Sequence, residues 1–507
     1  MRHCLTTMPI TKPIRYGLFL IYVGFHGSCF PQIKDTVRPS YRVTLKEAHI
    51  GSLGVDTTLL HSYGSPDGPS KDFYLEARSL FSTKSIDFTD PDIVKAAAKN
   101  HLPLMAGPML GDLKVDGLSI WLRPAQTSPI TVRVIADTGG EEKTFTLNPV
   151  QAGRVHRIQV HGLSAETPYK YVMLSQGVTI AEGHFQTSSK EETKGRMRVA
   201  FGSCFHKIGL HNPNLVNTIV TREPQAMLLL GDLAADDREN NWSMHRSDYL
   251  LRDVAKAWKK LAANVPIYAS WDDHDYLNND LSGIPDNFNE EDRNGLRALW
   301  RTNWNNPKNN AEGINFHTRL GPVELIMLDT RSCRENKQRG QYGSYLGDKQ
   351  LSWLKNILRI STAPFKIISS GTMWSDYVSN GKDSWGTWDT RAREEIFALI
   401  EAENICGVVL ISGDRHGARG FTIPRHSGFE LYEFEAAVLG GVKGPDAMAP
   451  VDEHQIFGYL GLGLRAFGEF TFDTRGNEPF LTFRLIDEFA NILEEHVIPY
   501  SALTPKQ

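Results

Sequence analysis

Five short polar clusters in the second half of this chain carry the residue types that hold metal ions. They read Gly202-Ser-Cys-Phe-His206, Gly231-Asp-Leu-Ala-Ala-Asp-Asp237, Trp271-Asp-Asp-His-Asp275, Asp329-Thr-Arg331 and Ser412-Gly-Asp-Arg-His416. Thiolate, imidazole and carboxylate together suit divalent or trivalent ions that accept sulfur, nitrogen and oxygen ligands. A carboxylate placed as Asp232 is, directly after a glycine at a strand end, can bridge two cations. Two ions ~3.5–4 Å apart can hold a phosphate, activate a water and stabilise a leaving oxygen. Each cluster alone has an ordinary explanation, because Asp after a strand commonly caps a helix or forms a turn. A lone His416 is as readily a hydrogen-bonded core or surface residue. Five such clusters at equivalent strand ends argue for convergence on one site.

The elements that must position them are short buried strands. Apolar runs at 198–201, 226–230, 265–269, 325–328, 365–368 and 408–411 are separated by helical or loop-like segments. That texture is a mixed or parallel sheet with helices on its faces. In open α/β sheets ligands bind beyond the carboxyl ends of the strands, where these clusters fall. Runs at 469–473 and 480–486 flank Arg475-Gly476 and predict a terminal hairpin. Upstream, between about 108 and 187, the periodicity changes to alternation. Segments 118–123, 130–135, 143–147 and 155–160, with Gly139-Gly140 and Gly153 as turn signals, predict a small β-sandwich. The polar stretch 188–195 reads as a linker, and 94–99 as a helix capped by Asp90 or Asp92. Residues 32–106 form an amino-terminal extension.

Composition narrows the function. The 507 residues carry a formal net charge of −4, which gives no basic face for wrapping nucleic acid. A small acidic excess does not exclude an anionic substrate, since bound ions dominate the local field. Arg2, Lys12 and Arg15 precede an apolar run at 16–25, followed by Gly27, Ser28 and Cys29. This is the pattern of a signal peptide over 1–31, so the chain is expected to be exported, to the periplasm, the cell surface or the medium. The run is shorter than the ~20 residues of a spanning helix. Cys29 is a candidate lipid anchor, although His26 stands where a lipobox has Leu. The five cysteines are sparse and irregularly spaced, which argues against a disulfide scaffold.

The order Gly-Asp, then Asp-His-Asp, then Gly-Asp-x-His resembles the signature of calcineurin-like metallophosphoesterases. The Ser-Cys at 203–204, the Trp-Asp-Asp-His-Asp block and the Leu-Asp-x-Arg block resemble its alkaline phosphatase D (PhoD-like) branch. The resemblance spans about residues 107–490. It implies an α/β (α+β) four-layer fold, with mixed β-sheets flanked by helices, over 196–490. A fibronectin type III-like sandwich over 107–188 would precede it. The stretch 162–171, with Tyr169 and Tyr171, resembles the tyrosine corner of such modules. By the same resemblance Cys204, Asp232, Asp273, Asp414 and His416 would be metal ligands, with Asp232 bridging. His206 has the superfamily's spacing, although the PhoD-like branch does not require a histidine there. His274 would face the substrate, with Asp275 orienting it. Arg331 and Arg334 could bind phosphate, or form structural ion pairs instead. Trp374 could line a substrate pocket or cover the core edge. The cofactors implied are two divalent or trivalent ions (Fe, Zn, Mn or Ca), and the substrates are phosphate diesters or monoesters. The PhoD-like pattern also expects a tyrosine ligand where this chain has Ala235, so an iron–tyrosinate colour is not expected. That departure keeps open an inactive exported binding protein on the same fold. A metal-dependent hydrolase of other esters, such as sulfate esters, is a third reading.

Overall fold

The structure is a computed structural model describing residues 42–140, 142–234, 236–308, 312–377, 383–444 and 454–506. The signal-peptide reading, Cys29 and Ala235 lie outside the described residues. Four helices open it: α1 (Leu45–Ile50), α2 (Leu53–His61), α3 (Gly68–Thr83) and α4 (Pro91–Lys99). Their starts follow from side chains that accept backbone N–H groups: Thr44 in a capping box with Glu47, Ser52, Asp67 and Asp90. Of the two caps expected for the fourth helix, Asp90 is the one used. Leu59, Phe73, Tyr74, Phe81 and Ile93 of these helices share a buried cluster with Leu250, Leu251 and Val254 of a later helix. The opening segment is thereby packed onto the body.

Seven strands follow: β1 (Leu104–Lys114), β2 (Gly117–Pro124), β3 (Ile130–Ala136), β4 (Glu142–Leu147), β5 (His156–Val160), β6 (Pro168–Ser175) and β7 (Val178–Gln186). They form two antiparallel sheets, ordered β1-β2-β5 and β4-β3-β6-β7. Leu118, Ile120 and Leu122 of one sheet and Val132, Val134, Tyr171 and Met173 of the other belong to the same core. The alternation expected of β3 is present, with Ile130, Val132 and Val134 buried and Arg133 exposed.

The second half contains β8 (Arg196–Gly202), α5 (His206–Gly209), α6 (Pro213–Thr221), β9 (Ala226–Leu230), α7 (Trp242–Val254), α8 (Lys256–Asn264), β10 (Ile267–Ser270), α9 (Asp273–Tyr276) and α10 (Glu290–Asn303). It continues with β11 (Phe316–Leu320), β12 (Val323–Met327), α11 (Gly347–Ile360), β13 (Phe365–Ser369), α12 (Trp385–Trp388), α13 (Thr390–Ala402), β14 (Val408–Ser412), β15 (Gly417–Pro424) and β16 (Glu430–Ala436). The last strands are β17 (Gln455–Leu460), β18 (Ala466–Asp473), β19 (Phe480–Asp487) and β20 (Ile492–Pro499). They build a six-stranded sheet, β10-β9-β8-β18-β19-β20, and a seven-stranded one, β11-β12-β13-β14-β16-β15-β17.

Both sheets are mixed. β8, β9 and β10 run parallel, as do β12, β13, β14 and β16, while β18 and β19 form the expected hairpin. Val199, Phe201, Leu228, Phe470 and Phe483 of the first sheet pack with Leu325, Ile367, Ile411 and Phe434 of the second. Outside the first sheet lie Leu215, Ile219, Trp258, Leu261 and Trp300 of α6, α8 and α10. Outside the second lie Leu354, Leu358, Ile396 and Ile400 of α11 and α13. The result is the expected four-layer order of helix, sheet, sheet and helix. The sheet runs past residue 490, because β20 pairs along β19. The sandwich docks through polar anchors, the Tyr171 hydroxyl to the Ala263 carbonyl (2.9 Å) and Asn305 Nδ2 to the Met109 and Ser119 carbonyls (2.9 and 2.8 Å).

Candidate metal centre

The parallel strands aim their carboxyl ends at one place. β8 ends before Cys204, β9 before Asp232, β10 before the 272–275 turn and β14 before Asp414. The backbone there is folded tightly. Cys204 N–H donates to the Gly231 carbonyl (3.0 Å) and His206 N–H to the Asp232 carbonyl (2.8 Å). Gly231 sits at φ +102°, where a Cβ would lie 2.4 Å from Asp272 Cβ, so only glycine lets these strand ends approach so closely. Cys204, His206, Asp232, Asp414 and His416 all have positive φ (57°, 44°, 55°, 76° and 40°). Such conformations cost on the order of 1–3 kcal/mol each and persist where the surrounding structure over-determines them. Five of them on five expected ligands mark a site shaped for binding.

Two four-residue ligand groups share Asp232. Cys204, His206, Asp232 and His416 bring one atom each within 4.8 Å of one another, and so do Asp232, Asp272, Asp273 and Asp414. In the first group, His206 Nε2 lies 3.3 Å from His416 Nε2 and 3.8 Å from Asp232 Oδ2, and Cys204 Sγ lies 3.6 Å from Asp232 Oδ2. Metal–ligand bonds of ~2.0–2.3 Å in a tetrahedron produce edges of about 3.3–3.8 Å. His416 Nδ1 faces the Lys443 carbonyl (2.9 Å), which can only accept, and His206 Nδ1 faces an Asp236 oxygen (3.2 Å). With both rings neutral each turns an Nε2 lone pair inward, and the repulsion of two lone pairs at 3.3 Å is relieved by a cation between them or by a proton on one ring. In the second group Asp232 Oδ1, Asp272 Oδ2, Asp273 Oδ1 and Asp414 Oδ2 are buried with no hydrogen-bond partner, Asp273 Oδ1 and Asp414 Oδ2 having only an arginine each at 3.5 Å (Arg331 and Arg415). Buried carboxylate oxygens are expensive unless paired or bound to metal. Burial, reinforced by neighbouring carboxylates, pushes Asp414 well above the usual range, and burial and Asp232 do the same for the Cys204 thiol. Both groups thus fit cations on their own geometry.

His274 stands with Asp232 and Asp273 in a third grouping. Its Nδ1 bonds Asp237 Oδ1 at 2.6 Å, so Asp237 orients it, not Asp275 as expected. Asp275 instead accepts the Leu233 N–H (3.0 Å) and the Asp272 N–H (3.3 Å), tying two strand ends together, and burial pushes it up to about 8. Asp273 Oδ2 accepts the Asp280 N–H (2.6 Å), which leaves its Oδ1 for the ligand group.

The substrate-binding expectations need correction. Arg331 is wholly buried behind the ligands, bonded through Nε to Asp272, 3.5 Å from Asp273 and 2.7 Å from Asp383. Arg334 is also buried, held by Asp383 (2.8 Å) and the Thr330 carbonyl (2.6 Å), with its guanidinium over Tyr345 and Trp388. Both are ion-pair residues that position carboxylates, because Asp272 and Asp273 of one turn and Asp383 from another segment must be neutralised before they can stand together. Trp374 lies in the core, 0% exposed and stacked on Trp385 at 4.7 Å.

The structure adds His49, which no spacing pattern marks. It sits on α1, 3.3 Å through Nδ1 from Asp237 Oδ2 and with its ring centroid 4.1 Å from that of His274. The capping box at Thr44 and Gly51 at the helix end are legible locally, but the destination of His49 is not.

Comparisons with known proteins agree with this geometry. Residues 216–439 match the family model of PhoD-like phosphatases. Alkaline phosphatase D of Bacillus subtilis is 25% identical over 261 residues, 44% of this chain and 43% of that protein, so the match spans less than half of the relative's length. The solved structure of PhoD superposes with a TM-score of 0.62 at 17% identity, covering 78% of this chain and 93% of that one. The purple acid phosphatase PPD1 from yellow lupin (Lupinus luteus) seeds superposes with a TM-score of 0.57 at 15% identity, covering 79% and 75%. The segment that matches the PhoD-like phosphatases, residues 216–439, contains Asp232, Asp273, His274, Asp414 and His416 at the strand ends where the ligand groups stand, and the two-sheet fold is shared with the solved structures of PhoD and the lupin phosphatase.

Proposed function

We propose that the chain hydrolyses phosphate esters, diesters first and monoesters second, with two cations held by the two ligand groups that share Asp232. The observation that carries this reading is the pairing of inward-facing Nε2 atoms in one group with four buried carboxylate oxygens that accept no hydrogen bond in the other. The donor sets differ. Thiolate with two imidazoles suits iron or zinc, whereas four carboxylates suit a harder ion such as manganese or calcium. When bound, such ions supply Lewis acidity and lower the pKa of water.

The chain's own residues do the rest. Asp237 holds His274 by its Nδ1, so the ring is fixed beside Asp232 and Asp273, placed to donate a proton or to stabilise charge on an ester oxygen. Arg331 and Asp383 hold the 272–273 carboxylates in place. His49 packs against His274 and closes this side of the centre. Export is part of the proposal, supported by the amino-terminal pattern. Among the described residues no helix is long and apolar enough to cross a membrane. For the sandwich, the order β1-β2-β5 and β4-β3-β6-β7 supports the fibronectin type III-like reading. So does Tyr169, whose hydroxyl accepts the Ser164 N–H at 2.9 Å.

The test is hydrolysis of bis-p-nitrophenyl phosphate, p-nitrophenyl phosphate and p-nitrophenyl sulfate, before and after chelation and with single metals restored. Phosphate-ester turnover that is lost on chelation, regained with a metal and absent in Asp232→Asn is the expected result. Turnover of the sulfate alone, or none in a folded and metal-loaded protein, would overturn it.

A further inference from the structure

A cavity of about 720 Å³ opens between the sandwich, α7 and α10, and none of its lining residues belongs to the metal-ligand groups. Its size is that of small-molecule sites. Three arginines from three different elements line it: Arg123 of β2, Arg154 of the β4–β5 connection and Arg246 of α7. Asp87 is the acid facing them.

Arg123 is the most unusual. It is 1% exposed, yet its Nε and Nη1 have no hydrogen-bond partner. Its Nη2 donates to Asn303 Oδ1 (2.8 Å), and one face of the guanidinium lies over the Phe88 ring at 3.6 Å. The nearest acid, Asp253, turns Oδ2 to Nη1 at 3.7 Å, beyond hydrogen-bond reach, while its Oδ1 is bound to Arg252 at 2.8 Å. A buried guanidinium left this poorly paired is costly, and native structures retain such groups for a reason. Burial, only partly offset by Asp253, pulls Arg123 down to about 9. The Trp242 indole N–H on the same wall is likewise buried without a partner. Arg246 is half-buried and donates to the Ile86 carbonyl (3.2 Å), while Arg154 is exposed at the rim and bonds Gln151 (2.9 Å).

Donors on every side with one acid among them call for an anion. Donors spread over several directions favour a tetrahedral oxyanion, which accepts on all its oxygens, over a planar carboxylate. We propose that this cavity is a second anion site, binding a phosphate-class oxyanion apart from the metal centre.

The experiment uses the full chain carrying Asp232→Asn and treated with chelator, so that the metal centre contributes little. Inorganic phosphate is titrated by calorimetry against chloride of equal ionic strength, with acetate in parallel. Saturable phosphate binding is expected, weakened at least tenfold by Arg246→Gln and by Arg154→Gln, each with unchanged circular dichroism. Arg154 is exposed, so its substitution tests the site even if the Arg246 variant fails to fold. Phosphate binding that does not exceed chloride, that survives both substitutions, or that is weaker than acetate binding overturns the proposal.

Discussion

Replacing Gly51 by alanine should detach His49 from the metal centre without altering any residue of it. Gly51 ends α1 at φ +58°, and a Cβ there would lie 1.9 Å from Arg238 Nη2. Arg238 is held by Asp248 at 2.7 Å and donates to the His49 and Ile50 carbonyls, so it is the peg on which the helix end hangs. A left-handed alanine costs about 1–2 kcal/mol and the forced contact about 1–3 more. Against this, α1 has six residues and buries one apolar side chain, Ala48. A loss of about 2 kcal/mol raises the open fraction of the segment some 30-fold. Amide exchange of residues 44–51 should therefore accelerate by about that factor or more, while the β8 and β9 amides keep their protection. Activity should fall about tenfold, as when an outer support of a metal site is removed. His49→Ala should lose the same amount, and the double variant no more than either single one. Unchanged exchange at 44–51, or losses that multiply in the double variant, would refute the docking argument.

Other expectations follow from the same contacts. Arg331→Gln leaves Asp272, Asp273 and Asp383 without their shared cation, which should cost about 3–5 kcal/mol in denaturant unfolding and lower kcat more than it raises KM. Trp374→Phe should cost about 1–3 kcal/mol of stability and leave kcat/KM for the diester unchanged, because the ring is core and touches no ligand. His211 and His245 are buried, and burial holds each down to about 4. Between pH 6.5 and 4 the unfolded chain therefore binds more protons, so stability is fullest above 6.5 and falls as pH drops toward 4. Each histidine should account for about 2 kcal/mol between pH 7.5 and 5, and His211→Gln should remove its share of that slope in chemical denaturation.

The strands that carry the centre were legible because each is a short apolar run that ends in a polar cluster. Burial on both faces forces the first property, and ligand binding at the strand end forces the second. Cys204, Asp232, Asp273, Asp414 and His416, with His206, do come together. The direction in which a charged side chain points was not legible. Arg331 beside Asp329 reads equally as a phosphate fork or a buried pair, and only the three-dimensional count of acids around it decides. Asp275 next to His274 suggested a partner, yet α9 turns the two side chains apart and Asp237, from another strand end, takes the role. β11, β15, β16, β17 and β20 of this half were missed because polar residues interrupt them, as in Gln455–Leu460 and Glu430–Ala436, so none shows a continuous apolar run. His49 was missed because a six-residue helix carries no sign of what it meets.

The centre draws on residues 49, 204–237, 272–274 and 414–416, segments separated by most of the chain. An ion held by His206 and His416 closes a loop that contains β9 through β14 and the helices between them. In polymer terms it is a cross-link, and closing so long a loop is where a link removes the most entropy from the unfolded chain. The ions should accordingly raise the unfolding midpoint of the two-sheet architecture, which keeps its fold without them at a lower midpoint. Chelation would then act on this chain much as reduction acts on a disulfide-bonded one.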